Sequence, residues 1–65
     1  MSNTIKTTLE AIGLVEWQRV SVRRKTKNNI EYLGGGIVSN ITRRFGDRTI
    51  IKSQFSDGIL VIYVD

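Results

Sequence analysis

Apolar positions change their spacing along this chain, and each change marks an element. Ile5, Leu9 and Ile12 recur at i, i+4 and i+7, the stripe of a helix that buries one face. The spacing predicts a helix over 4–12. Asn3 or Thr4 can cap its start. Gly13 suits the left-handed position that ends a helix, with Leu14 folding back on Leu9. A helix this short does not persist alone in water, so it needs a sheet to pack on. The period then falls to two. Val20 and Val22 alternate with Arg19, Ser21 and Arg23, predicting a strand over 15–24. Val15 and Trp17 stand on the opposite parity, which requires a bulge or a late strand start near Gln18. Trp17 is expected in the core, given the area a buried aromatic contributes. Lys25-Thr26-Lys27-Asn28-Asn29 reads as a polar turn, in which Asn tolerates left-handed backbone. Ile30 and Tyr32 resume a strand over 30–33.

Two turn signals organise the rest. Gly46-Asp47 separates 37–45 from 48–55, and Asp57-Gly58 separates the latter from 59–64. Gly first suits a type II′ hairpin and Asp-Gly a type I′ hairpin. Two-residue loops fix the register. Phe45 then faces Arg48, Arg43 faces Ile50, and Ile41 faces Lys52. In the last hairpin Phe55 faces Leu60, Ser53 faces Ile62 and Ile51 faces Val64. One face would carry Val38, Ile51, Phe55, Leu60, Ile62 and Val64 as core. The other would carry Ile37, Ile41, Phe45, Ile50, Val61 and Tyr63 among Arg43, Arg48 and Lys52.

Gly34-Gly35-Gly36 reads as a sharp bend or bulge where a strand curls, or as a backbone nest for phosphate. A phosphate-binding P-loop would continue with Gly-Lys-Ser/Thr and a helix. Here Ile37-Val38-Ser39 follows and reads as strand. The expected fold is mainly β within the α+β class: a short N-terminal helix, then a strongly bent antiparallel sheet of four or five strands in one domain over 1–65. In length and glycine placement the chain is similar in outline to small barrels of the SH3-like or OB-like kind, which implies a closed sheet and no particular function.

Composition limits what holds such a fold together. A chain of 65 residues has a marginal core, and small folds usually add a staple. The chain has no Cys and no His, which excludes disulfides and zinc sites built from those residues. Stability must come from tight packing or a second copy. The missing His and Cys also remove the commonest general base and the best nucleophile. The six acids are scattered, which suits neither paired-carboxylate chemistry nor an oxygen-ligand metal site. The expectation is a binding protein with no enzyme activity, metal or cofactor. Residues 1–6 lack the layout of a signal peptide, and no apolar run approaches the ~20 residues of a membrane span. The profile reads as cytoplasmic, without a membrane partner.

Charge then suggests a partner. The net charge is +4, and nine of the ten cations fall in two segments. Arg19, Arg23, Arg24, Lys25 and Lys27 form the first; Arg43, Arg44, Arg48 and Lys52 form the second. Cations that track phosphates beside rings that stack on bases are the means of sheet-based single-strand binding. Phe45, Tyr63, Arg43, Arg48 and Lys52 are expected to form such a platform. The basic hairpin at Arg23, Arg24, Lys25 and Lys27 would add phosphate contacts or enter a duplex groove as a ribbon. DNA or RNA is therefore the first expected partner, with a small regulator as one form of the function. The alternative is a module that docks on a larger protein through Trp17, Tyr32, Phe45 or Tyr63. An accessory protein encoded by a phage or plasmid would fit that profile. Plain solvated edge strands account for the same cations, since edge Lys and Arg block aggregation.

Overall fold

The computed structural model describes residues 3–65. Met1 and Ser2, part of the N-terminal stretch read above for an export signal, lie outside the described residues. Two helices and four strands follow in the order α1 (Ile5–Ile12), β1 (Arg19–Lys25), β2 (Ile30–Ile37), α2 (Val38–Phe45), β3 (Ile50–Ser56) and β4 (Ile59–Val64). The fold is mainly β, and the sheet is mixed. Its strand order is β2-β1-β4-β3, with β1 antiparallel to β2 and parallel to β4. The sheet is open, with β2 and β3 at its edges, so the barrel outline and the wholly antiparallel arrangement do not hold. Among the described residues no helix is long and apolar enough to cross a membrane.

α1 follows its sequence signals. The Thr4 hydroxyl accepts the Thr7 N–H at 3.3 Å, and Gly13 closes the helix at φ 72° with its N–H on the Leu9 carbonyl. Ile5 and Leu9 are buried, and Leu14 packs against the same cluster; Ile12, expected on the same buried stripe, is 47% exposed because the sheet does not reach the end of the helix. β1 starts at Arg19, the late start that the parity of Val15 and Trp17 required. Trp17 itself is 74% exposed, contrary to the core position expected for it. The Gln18 amide donates to the Gly58 carbonyl at 2.7 Å, which ties this loop to the far turn.

The largest correction concerns 37–45. This segment is not a strand but α2, and Gly46-Asp47 is not a hairpin turn. Ile37, Ile41 and Phe45 fit a period of two, but Val38, Ile41 and Phe45 also fit i, i+3, i+7. In a strand, Arg43 would share a face with Ile41 and Phe45 and would have to be paired if buried there. In the helix, Ile41 is fully buried, Val38 and Phe45 pack on the core, and Arg43 and Arg44 are exposed in the last turn. That last turn is where the helix dipole favours cations. Gly46 has ordinary helical angles; it must be glycine because a Cβ would strike the Thr42 carbonyl. The loop after α2 then holds α1. The Ile5 N–H donates to the Arg48 carbonyl at 3.0 Å and the Lys6 N–H to the Gly46 carbonyl at 3.1 Å, satisfying two donors that a helix start leaves free.

Because α2 crosses the sheet, β3 joins at the opposite edge from β2, and β4 inserts beside β1. The helices cover one face. The core there comprises Ile5, Leu9, Val20, Val22, Ile41, Leu60, Ile62 and Val64. The last hairpin keeps the expected pairs Phe55 with Leu60 and Ser53 with Ile62. Its turn is left-handed at Asp57 (φ 51°) and Gly58 (φ 77°), as an Asp-Gly type I′ loop requires. A register shift between Ile50 and Lys52 pairs Ile50, not Ile51, with Val64. Ile51 and Phe55, expected in the core, are more than half exposed on the edge strand.

The three glycines are strand residues directly after a bulge, not a sharp bend or a free nest. Gly34, Gly35 and Gly36 pair with Val22, Ser21 and Val20 inside β2, which runs to Ile37 and not to 33. A bulge falls between Val22 and Arg23, leaving Leu33 unpaired and packed toward the core. A Cβ on Gly34 would stand 3.1 Å from the Phe45 ring, so the missing side chain lets α2 lie close. The 26–29 turn closes through the Thr26 N–H and hydroxyl, both donating to the Asn29 carbonyl at 2.8 and 3.0 Å. Among the described non-glycine residues only Asp57 has positive φ, so the turn uses no left-handed Asn.

Candidate nucleic-acid interface

Alternation along the strands decides what the uncovered face presents. Val20 and Val22 point to the helices, so Arg19, Ser21, Arg23 and Lys25 of β1 point away. Ladder partners share a face. β2 therefore adds Ile30, Tyr32, Gly35 and Ile37. β4 adds Ile59, Val61 and Tyr63, and β3 adds Lys52, Gln54 and Ser56. No strand position on this face is acidic, and four carry cations.

One row of partners runs across all four strands. Tyr32 pairs with Arg23, Arg23 with Tyr63, and Tyr63 with Lys52. Ring and cation alternate from edge to edge. Tyr32 and Tyr63 are two interstrand steps apart, about 10 Å at the backbone. Tyr32 is mostly exposed and reaches along β2 toward Gly35. A Cβ on Gly35 would stand 2.6 Å from the Tyr32 hydroxyl, so the glycine lets the side chain extend along the strand.

Two shallow grooves flank this row. One, of about 530 Å³, is lined by Arg19, Ser21, Arg23, Tyr32, Gly35, Ile59 and Val61, with Asp57 from the β3–β4 turn. The Ser21 hydroxyl is shut off from solvent there and has no hydrogen-bond partner. The other, of about 210 Å³, lies among Lys25, Ile30, Ile51, Lys52 and Tyr63.

The two cation segments do not form one surface as they stand in sequence. Arg19, Arg23 and Lys25 are on the open face, joined by Lys52 from the second segment. Arg24 has the parity of Val22 and pairs with Glu31, and Lys27 is in the exposed turn. Arg43, Arg44 and Arg48 gather with Lys6 around a groove of about 460 Å³ at the end of α2, on the helical side. The Arg44 guanidinium lies 4.9 Å from the Phe45 ring centre, and Arg43 donates to the Asn40 side chain at 3.2 Å. Phe45 packs on the core and is not part of a platform with Tyr63. The expected grouping of Phe45, Arg43 and Arg48 with Tyr63 and Lys52 is thus divided between the two sides. Sequence reasoning passes over Ser21 and Asp57, although the alternation of β1 puts Ser21 beside Arg19 and Arg23. No protein family, curated protein or solved structure matches the chain.

Proposed function

We infer that this protein is a non-catalytic domain that binds single-stranded nucleic acid across the open face of its sheet. The observation that carries this reading is the Tyr32–Arg23–Tyr63–Lys52 row on a face whose strands hold no acid. Aromatic rings accept unstacked bases, at ~1–3 kcal/mol per base, while a basic groove follows the backbone. A sheet with one exposed and one half-buried ring on its open face offers single strands what a duplex, with its bases stacked inside, cannot use. Arg19, Arg23, Lys25 and Lys52 are the phosphate contacts in this reading, and Tyr32 and Tyr63 the stacking residues. Arg24 and Lys27 extend the charge along the β1–β2 hairpin. Arg43, Arg44 and Arg48 are left to the helical side.

Fluorescence anisotropy with short mixed-sequence single strands of DNA and RNA, beside the matching duplex, tests the proposal. Affinity should fall steeply between ~50 and ~200 mM salt, as counterion release requires. Tyr32→Ala and Tyr63→Ala should each weaken single-strand binding by about ten-fold, in line with the loss of one stacked base. Absence of salt-sensitive binding to every probe would falsify the reading.

A second reading is docking on a larger protein, supported by the exposed Trp17, Val15 and Phe55. Trp17 and Phe55 are brought toward one end of the sheet by the Gln18–Gly58 hydrogen bond. Aromatic residues are frequent anchors of interfaces. Partners captured from nuclease-treated lysate and lost on Trp17→Ala would favour it.

A further inference from the structure

We propose that the groove beside Tyr32 seats a single unstacked guanine base, an inference that rests on the nucleic-acid reading above. The groove combines groups that a plain phosphate track does not need. Arg19 and Arg23 supply guanidinium forks, Tyr32 a ring, and Ile59 and Val61 an apolar lining, while Asp57 adds a carboxylate. A carboxylate beside a polyanion costs affinity unless it meets a hydrogen-bond donor. The turn does not explain the charge, because Asn-Gly serves a type I′ loop as well as Asp-Gly.

Guanine offers the matching edges. Its N1–H and N2–H donate side by side to the two oxygens of a carboxylate. Its O6 and N7 accept an Arg fork, the commonest specific contact to this base. Adenine and cytosine each place an acceptor next to the amino donor, which opposes one carboxylate oxygen. Uracil has a single N–H between two carbonyls. Single strands leave these edges free to be read.

The test uses uridine oligomers that carry one guanosine, adenosine or cytidine, titrated against the whole protein. The guanosine oligomer should bind about ten-fold more tightly than the others, the discrimination of one well-placed bidentate contact. Asp57→Asn keeps the turn and removes the charge. It should cut the guanosine preference several-fold, leaving only what the Arg fork reads, while raising affinity for the other oligomers, since a like charge leaves the path of the phosphates. Equal binding of all oligomers by the unaltered protein overturns the guanine seat and leaves the nucleic-acid reading standing. A uniform gain on Asp57→Asn, with the preference intact, shows that Asp57 only repels phosphate and overturns its part in reading the base. Failure of every oligomer to bind removes both the seat and the function beneath it. The base series needs no variant, so a folding defect in Asp57→Asn does not blunt it.

Discussion

On the helix-covered face of the sheet, Val20, Val22, Leu60, Ile62 and Val64 are each at most 2% exposed. The opposite face, on the same two central strands, places Arg19, Ser21, Arg23, Ile59, Val61 and Tyr63, and of these only Val61 is buried. Neighbouring residues along β1 thus do different work. One parity supplies nearly all the burial that a small domain needs. The other is released from packing and can carry charge and rings. The difference shows how 65 residues without cysteine, histidine or proline can hold a fold and still leave one face of the sheet to charge and rings.

Emptying the covered face should have the largest effect on the molecule. Ile62→Ala removes a fully buried side chain from the central strand, and such truncations cost ~2–5 kcal/mol. Domains of this size have only ~0.05–0.15 kcal/mol of stability per residue. Urea unfolding followed by circular dichroism should show the variant largely or wholly unfolded. A well-folded Ile62→Ala with an unchanged midpoint would mean that the helices are not what holds this face.

A smaller effect comes from two adjacent glycines that lie on opposite faces. Gly34→Ala presses a methyl group toward the Phe45 ring, which is packed in the core. A cost of ~1–3 kcal/mol in stability is expected from such overpacking. Gly35→Ala meets the far end of Tyr32, which can swing away, and its methyl group stands a tight 3.3 Å from the Val20 carbonyl. Its stability cost should stay under ~1 kcal/mol, while oligonucleotide binding falls about as far as in Tyr32→Ala. Equal stability losses for the two would show that Tyr32 is as firmly packed as Phe45.

The smallest change separates the two groups of cations. Arg43 is exposed, and Arg43→Ala should leave stability within ~0.5 kcal/mol; Arg23 is half-buried on a central strand, and Arg23→Ala should cost no more than ~1 kcal/mol. Only Arg23→Ala should weaken binding and lower the salt slope by about one. Matching losses for Arg43→Ala in the anisotropy titration would place the helical side in the interface as well.

Much of this architecture is legible in the amino-acid sequence. Local chemistry announces α1, since Thr4 and Gly13 each have one suitable role, and it announces the Asp57-Gly58 turn with most of the register that follows. β1 is readable because Val20 and Val22 alternate with polar residues without interruption. α2 is hidden because Ile37, Ile41 and Phe45 satisfy both the strand and the helix period. The signal that separates them is charge. Arg43 and Arg44 in succession before a glycine suit the last turn of a helix, and Arg43 suits no buried strand position. With that segment read as a strand, the parallel pairing of β1 with β4 cannot be found, because only a crossover helix brings β3 to the far edge. Three of the five expected platform residues, Phe45, Arg43 and Arg48, are lost with it. Tyr63, Lys52 and the cations of β1 stay together because their faces depend on strand parity alone, whereas Phe45 and Arg43 depend on the misread element.

The parallel β1–β4 pair also governs when this fold can form. Val20 lies beside Leu60, so the centre of the sheet joins residues from opposite ends of the chain. Long-range pairings of this kind make folding slower than in helical domains of equal length, because the intervening chain must be ordered before the contact rewards it. During synthesis β1 and β2 emerge first, as a hairpin without the apolar strand that completes its core. A chain stalled or cleaved before β4 would therefore expose Val20, Val22 and Ile41 together, and would be a substrate for chaperones and proteases rather than a smaller version of the protein.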